Sequence, residues 1–289
     1  MPTTPPPFGL LLDVDGPIAS PVTRTINIPQ IVTDLVTLAN AGIPVAFITG
    51  RSDAFVREQV VAPIHEAGLD PDAVMFAVCE KGAVWFEITA AATSESEMDA
   101  ALAFQPSAVE AVRSVTERYA DAMFFDETKR AMISVEQRTD VEGDTYRPRQ
   151  QAFESAAFEA LTGLGLGVRY GDRSASDAGG DIPYRIDSTI ISTDIESVLL
   201  DKDHAAERAL AFFSARGPLP TAWRSVGDSR SDYLMADHTH AAGYDTAHVD
   251  VRPADGVLDR PYPIIEMGDV IHDEAGARFL RQCVESLAR

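Results

Sequence analysis

Apolar residues in this 289-residue chain fall into short unbroken runs separated by stretches with helical spacing. Gly9-Leu-Leu-Leu12 is a first buried-strand run, and it ends at Asp13-Val14-Asp15-Gly16. Residues 30–41 carry apolar side chains at helical spacing and stop at Gly42, a suitable C-terminal cap. A second strand run spans Pro44 to Thr49 and leads into Gly50-Arg51. Residues 52–68 predict a helix opened by a Ser52/Asp53 cap and closed by Gly68, and residues 73–78 predict a third strand. Strands and helices alternating at this spacing argue for a parallel α/β sheet.

Beyond residue 83 the rhythm changes. Residues 90–105 are rich in Ala, Ser and Glu, and 107–121 predict a helix. A strand is expected at 131–136, a helix at 148–162, and strands at 168–170 and 186–192 around a polar loop at 171–181. The α/β rhythm then returns with helix 203–215, strand 222–226, a Gly227-Asp228 turn, helix 231–236 and strand 247–251. The expectation is an α/β core from residues 1–83 and 195–289, with a smaller α+β domain, 84–194, inserted into it.

Composition narrows the partners. No apolar stretch approaches the length of a membrane span. Met-Pro-Thr-Thr-Pro-Pro-Pro has neither the basic start nor the apolar run of a signal peptide, and reads as a short unstructured lead-in. Cys79 and Cys283 are the only cysteines, which fits a reducing cytoplasm rather than a disulfide framework. The net charge of −21 disfavours nucleic acid and anionic membranes. A phosphorylated ligand would need locally concentrated positive charge. Only Lys81, Lys129 and Lys202 are lysines, so a lysine at a strategic position stands out.

Asp13 and Asp15 end a strand, where open α/β sheets place chemistry. Adjacent carboxylates repel and raise each other's pKa, and a hard divalent cation with oxygen ligands offsets that repulsion. Asp-x-Asp alone fits a solvated strand end as readily as a functional site, and such pairs also occur in calcium loops and in nucleotide-sugar transferases; the last normally has the motif after a nucleotide-binding half, whereas here it opens the chain. Three further segments add to it. Thr49-Gly50 offers a hydroxyl and a backbone N–H at the second strand's tip. Lys202 offers a point charge near a helix start. Gly227-Asp228-Ser-Arg-Ser-Asp232 offers two more carboxylates at a third strand end. Together these are the parts of a phosphoryl-transfer site.

In order and spacing, Leu-Leu-Leu-Asp13-Val-Asp15-Gly16, Phe-Ile-Thr49-Gly50-Arg51, Lys202 and Val-Gly227-Asp228-Ser-Arg-Ser-Asp232 resemble the motifs of the haloacid dehalogenase-like (HAD) hydrolases. The nearest pattern is the branch with a large α/β cap between the second and third motifs, which includes many sugar-phosphate phosphatases. The resemblance implies a Rossmann-like core, an inserted cap and a small phosphorylated substrate. It implies Asp13 as nucleophile and Asp15 as general acid/base, with Mg²⁺ on Asp13, Asp15 and Asp228. Thr49, Gly50 and Lys202 would bind phosphate, Lys202 also restraining the nucleophile. Asp232 would lie in the outer metal shell or orient Lys202, and Arg51 is a supporting residue that equally fits capping the sheet or pairing with a surface acid. A phosphomutase of the same superfamily and a non-catalytic sugar-phosphate binder are the alternatives.

The departures are Pro17 for a usual Thr, Ser231 for a frequent Asn, and Cys79-Glu80-Lys81-Gly82-Ala83 for a common Asn-Gly-Ala. Elsewhere the bland expectations prevail: a solvated turn for His238 and His240, a surface lysine for Lys81, and a solvated loop for Glu142, Asp144, Tyr146, Arg147 and Arg149.

Overall fold

A computed structural model describes residues 4–288, so the first three residues of the expected lead-in lie outside the described residues. The chain divides into two compact units, one formed by residues up to Glu97 and from Asp201 onward, the other by Met98–Leu200.

The first unit opens with β1 (Gly9–Leu12), α1 (Pro29–Asn40) and β2 (Val45–Ile48). A helical stretch follows in three parts: α2 (Asp53–Val56), a π turn over Arg57–Val61, and α3 (Ala62–Ala67). Ser52 caps it through its Oγ, which accepts from the Phe55 N–H at 3.3 Å, and Gly68, with φ of 90°, ends it. Then come β3 (Val74–Cys79), β4 (Val84–Thr89) and the short β5 (Glu97–Met98).

The second unit holds α4 (Pro106–Glu117), β6 (Met123–Phe125), β7 (Ile133–Gln137), α5 (Gly143–Gly163), β8 (Val168–Tyr170), β9 (Arg173–Ala175), β10 (Tyr184–Ser188) and β11 (Ser192–Ser197). Its sheet runs β6-β7-β11-β10-β8-β9 and is antiparallel except between β8 and β10. Val112 of α4 and Phe153, Ala157 and Leu161 of α5 close a core with Val135, Ile133 and Ile195 of the sheet.

The chain returns to the first unit with α6 (Lys202–Ser214), β12 (Ala222–Gly227), α7 (Tyr233–Ala241), β13 (Asp245–Asp250), β14 (Ile264–Ile265) and α8 (His272–Leu287). The sheet order is β14-β13-β12-β1-β2-β3-β4-β5, parallel from β14 to β3. Every residue of β1 and β2 is buried, as central strands covered on both faces require. Helices α1, α3 and α8 pack together, as do α6 and α7. Ala205, Ala206 and Ala209 let α6 lie close against Ile48, Phe76 and Val78.

Several expectations need correction. Residues 84–97 belong to the first unit, not to the insertion, because β4 pairs antiparallel with β3; Val84, Phe86 and Ile88 are buried and the intervening residues are half-buried. At the other boundary the insertion continues to Leu200, because β11 pairs with β7 and β10. The single strand expected at 186–192 is two strands about a turn, closed where the Ser192 N–H donates to Thr189 Oγ1 at 2.9 Å; Ile190 is exposed at the tip. Glu142–Arg149 is no solvated loop: α5 begins at Gly143, anchored by the buried Tyr146. His238 and His240 lie on the last turn of α7 rather than in a turn.

Candidate active site

β1 is central in its sheet, and the chain leaves it toward β2 on one side and returns to β12 on the other. Ligands of open α/β sheets bind at such a switch point, outside the carboxyl ends of the strands. The C-terminal ends of β1, β2 and β12 carry Asp13, Thr49 and Asp228. The Asp13 N–H donates to the Val226 carbonyl at 2.9 Å, so the ladder persists to the nucleophile candidate itself.

Lys202, the first residue of α6, is buried and lies among three acceptors. Its Nζ is 2.6 Å from Asp13 Oδ1, 2.7 Å from Asp232 Oδ1 and donates to the Ile48 carbonyl at 3.0 Å. An ammonium has three donors, and all three are engaged. Burial alone would lower the Lys202 pKa; the two carboxylates outweigh it and push the pKa up. The geometry therefore joins Lys202 to the nucleophile candidate, and a direct contact from it to a phosphate would displace one of these partners.

Asp13 Oδ1 also accepts from the Val14 N–H at 2.8 Å, whereas Oδ2 has no hydrogen bond among the described residues. Burial, then the charge of Asp232, raise the Asp13 carboxyl well above the usual range. Asp232 is held differently. Its Oδ2 accepts from the N–H groups of Asp228 and Ser229 at 3.0 and 2.8 Å and from Ser229 Oγ at 2.8 Å. Burial pushes its pKa up, but Lys202 and these donors prevail and keep it low. Asp232 thus orients Lys202 and fastens the Asp228 loop.

Two glycines are required for this packing. A Cβ on Gly227 would lie 2.1 Å from Asp232 Cβ, and one on Gly16 would lie 2.8 Å from Asp228 Cβ and Cγ. Gly16 also has a φ of 95°, which L side chains avoid. Asp228 is raised to about 6 by burial and by Asp232, against the pull of Arg252. Its Oδ2 faces Arg252 Nη1 at 3.9 Å and His272 Nδ1 at 3.8 Å. Neither residue belongs to a motif, and no sequence signal singled them out.

Asp15 is turned to Arg51, whose Nε and Nη2 donate to its two oxygens at 2.9 and 3.0 Å. Arg51 is thereby a partner of Asp15 and not a cap of the sheet. Thr49 Oγ1 accepts from the Arg51 N–H at 3.0 Å, and the Thr49 carbonyl accepts from the Lys81 N–H at 3.0 Å. Lys81 is not a free surface lysine: it is half-buried, and a Cβ on Gly50 would lie 3.7 Å from its Cε. Pro17 leaves no turn donor unpaired, since the loop closes through Ile18 and Ala19 N–H groups on the Val14 carbonyl.

Asp13, Asp228 and Asp232 offer carboxylate oxygens within 4.8 Å of one another. Three carboxylates face one ammonium, and Asp13 and Asp228 are raised by burial and then by the charge of Asp232. An all-oxygen cluster short of positive charge suits a hard divalent cation such as Mg²⁺.

No protein-family model matches the sequence, and no curated protein matches it. Solved structures do match in shape. The C-terminal domain of a trehalose-6-phosphate phosphatase from C. albicans superposes with a TM-score of 0.64 at 12% identity, over 96% of this chain and 93% of that one. A haloacid dehalogenase-like hydrolase from Bacteroides thetaiotaomicron gives 0.58 at 12% identity, over 96% of this chain and 99% of that one. A trehalose-6-phosphate phosphatase from Aspergillus fumigatus gives 0.52 at 15% identity, over 97% and 93%.

Proposed function

We propose that this chain, which has the fold of the haloacid dehalogenase-like hydrolases, is a Mg²⁺-dependent phosphatase of the cytoplasm acting on a small phosphomonoester. The observation that carries this reading is Asp13: one oxygen is pinned by Lys202 and the Val14 N–H, and the other is left without a hydrogen bond. A binder of phosphate would use donors, not a buried carboxylate presented in this way. The sugar-phosphate class of substrate is taken from the trehalose-6-phosphate phosphatases that share the fold. The inserted unit is assigned the role of a cap that selects the leaving group.

Asp13 Oδ2 attacks phosphorus in line, the bond to the leaving oxygen breaks, and Asp15 protonates the departing alcohol. A water then attacks the phosphorus of the aspartyl phosphate and gives its proton to Asp15. The Asp13–phosphorus bond breaks, and inorganic phosphate leaves. Arg51 holds Asp15 for this exchange. Thr49 and the Gly50 N–H bind phosphate oxygens, while Lys202, fixed by Asp232, keeps Asp13 in place. Asp13, Asp228 and the Asp15 carbonyl would hold Mg²⁺, which supplies charge stabilisation to the transferring phosphoryl oxygens when bound.

Phosphate release from a panel of sugar phosphates, with Mg²⁺ and with EDTA, tests this. Wild type should release phosphate only with the metal, and Asp13→Asn should release none while keeping the wild-type circular dichroism spectrum. Isomerised substrate without release would identify a mutase. Equal inertness of both proteins across the panel would sink the catalytic reading.

A further inference from the structure

Asp228 is held by groups that stop short of bonding to it. Its Oδ2 is 3.8 Å from His272 Nδ1 and 3.9 Å from Arg252 Nη1, both beyond hydrogen-bond range. By contrast Arg51 grips both oxygens of Asp15 at 2.9 and 3.0 Å. Arg252 is kept back by its own partner, for its Nη2 sits 2.6 Å from Asp255 Oδ2.

His272 is kept in place by its backbone. Its φ is 52°, a left-handed conformation for a residue with a full side chain, and its N–H donates to the Val251 carbonyl at 2.8 Å, just after β13. Such a conformation persists only where the surroundings demand it, and it collects at functional sites. The imidazole Nδ1 is buried and has no hydrogen bond among the described residues. A left-handed backbone and a buried ring nitrogen without a hydrogen bond are two costs at one residue. Both are incurred beside the same oxygen of Asp228.

We propose that His272 is a positioning residue of the cation site, confining the Asp228 carboxylate without occupying its lone pairs. The inference rests on the reading of Asp228 as a cation ligand. Three walls confine this side chain. The bare Cα of Gly16 forms one, since a Cβ there would be 2.9 Å from Oδ2; Arg252 and His272 form the others. A carboxylate walled in but not hydrogen-bonded keeps its orientation toward Asp13 and Asp232 while its oxygens stay available to a divalent ion. Direct pairing, as at Asp15, would instead compete with that ion. The left-handed turn at 272 is the means by which the ring reaches this position.

The test is Mn²⁺ binding without substrate, by calorimetry or by the paramagnetic resonance of free Mn²⁺, on wild type, His272→Gly and His272→Asn. Glycine removes the ring and relieves the left-handed backbone. His272→Gly should therefore melt in EDTA no lower than wild type, yet bind Mn²⁺ about 10-fold more weakly, the usual scale for losing a group that orients a ligand. Asparagine tolerates the same backbone but is too short to replace the ring. It should also bind more weakly, and it carries the test if the glycine variant does not fold. Wild-type affinity in the folded variants would overturn the inference alone. A wild-type protein that binds no Mn²⁺ would overturn the cation reading, and this inference with it.

Discussion

Lys202 divides one positive charge between Asp13 and Asp232, and the consequences differ for each partner. Asp232 collects further donors and stays acidic, whereas the Asp13 carboxyl is left raised. Removing the ammonium strands two buried carboxylates, so Lys202→Met should cost roughly 3–5 kcal/mol at neutral pH. Urea denaturation in EDTA measures this, and a change below about 1 kcal/mol would contradict the pairing. Beneath this pair lies His248, fully buried with Nδ1 2.7 Å from Ser225 Oγ. Burial lowers its pKa to about 4 from the ordinary 6.5. As pH falls, the unfolded chain takes up the proton before the folded one does, so stability is lost from about pH 6.5 down to about pH 4. Between pH 7.5 and pH 5 this residue should remove about 2 kcal/mol. Parallel urea titrations of His248→Gln should lack that part of the slope.

At the level of elements, α8 depends on a single missing methyl group. A Cβ on Gly276 would lie 1.9 Å from the Pro17 carbonyl oxygen, so the helix can approach the loop after β1 only as glycine. Glycine to alanine inside a helix ordinarily gains about 1 kcal/mol. Here the sign should reverse, with Gly276→Ala lowering stability by about 1–3 kcal/mol through displaced packing. A thermal midpoint at or above wild type would contradict the contact. The sequence assignment ended at residue 251 and so omitted this helix and β14, although Ala275, Phe279, Leu280 and Cys283 recur at helical spacing. The central parallel strands were legible because covering on both faces makes their residues uniformly apolar. The strand β4, Val84-Trp-Phe-Glu-Ile-Thr89, is apolar and β-prone but falls just past the change of rhythm at residue 83 and so was assigned to the insertion, and the turn at Thr189 was hidden by two apolar residues at its tip. At the site, Asp13, Asp15, Thr49, Lys202, Asp228 and Asp232 could be found because each belongs to a motif at an element's end. Arg252 and His272 reach Asp228 only through the tertiary path of the chain after β13, which no local pattern encodes.

Over the whole molecule, acidic residues outnumber basic ones 45 to 24, yet two of the three lysines, Lys81 and Lys202, lie beside Gly50 and Asp13. Positive charge is thus concentrated where a phosphate would have to enter a repulsive field. Without a cation the site is electrostatically costly, since burial and Asp232 raise Asp13 and Asp228 against the pull of Lys202 and Arg252. A ligand that binds only the folded state stabilises it by about 2.7 kcal/mol at 100 times its dissociation constant. Asp13, Asp228 and Asp232 all belong to the unit built from residues up to 97 and from 201 onward. Linkage acts on the opening reactions that break the site. Saturating Mg²⁺ should therefore slow amide hydrogen exchange at residues 13–16, 49–51 and 227–229 by about 100-fold, the exchange equivalent of that stabilisation. The amides of β7 and β11, whose local openings leave the site intact, should exchange as they do in EDTA. Protection spread equally over both units would mean that the cation binds elsewhere than at Asp13 and Asp228, and no protection at all would mean that it does not bind.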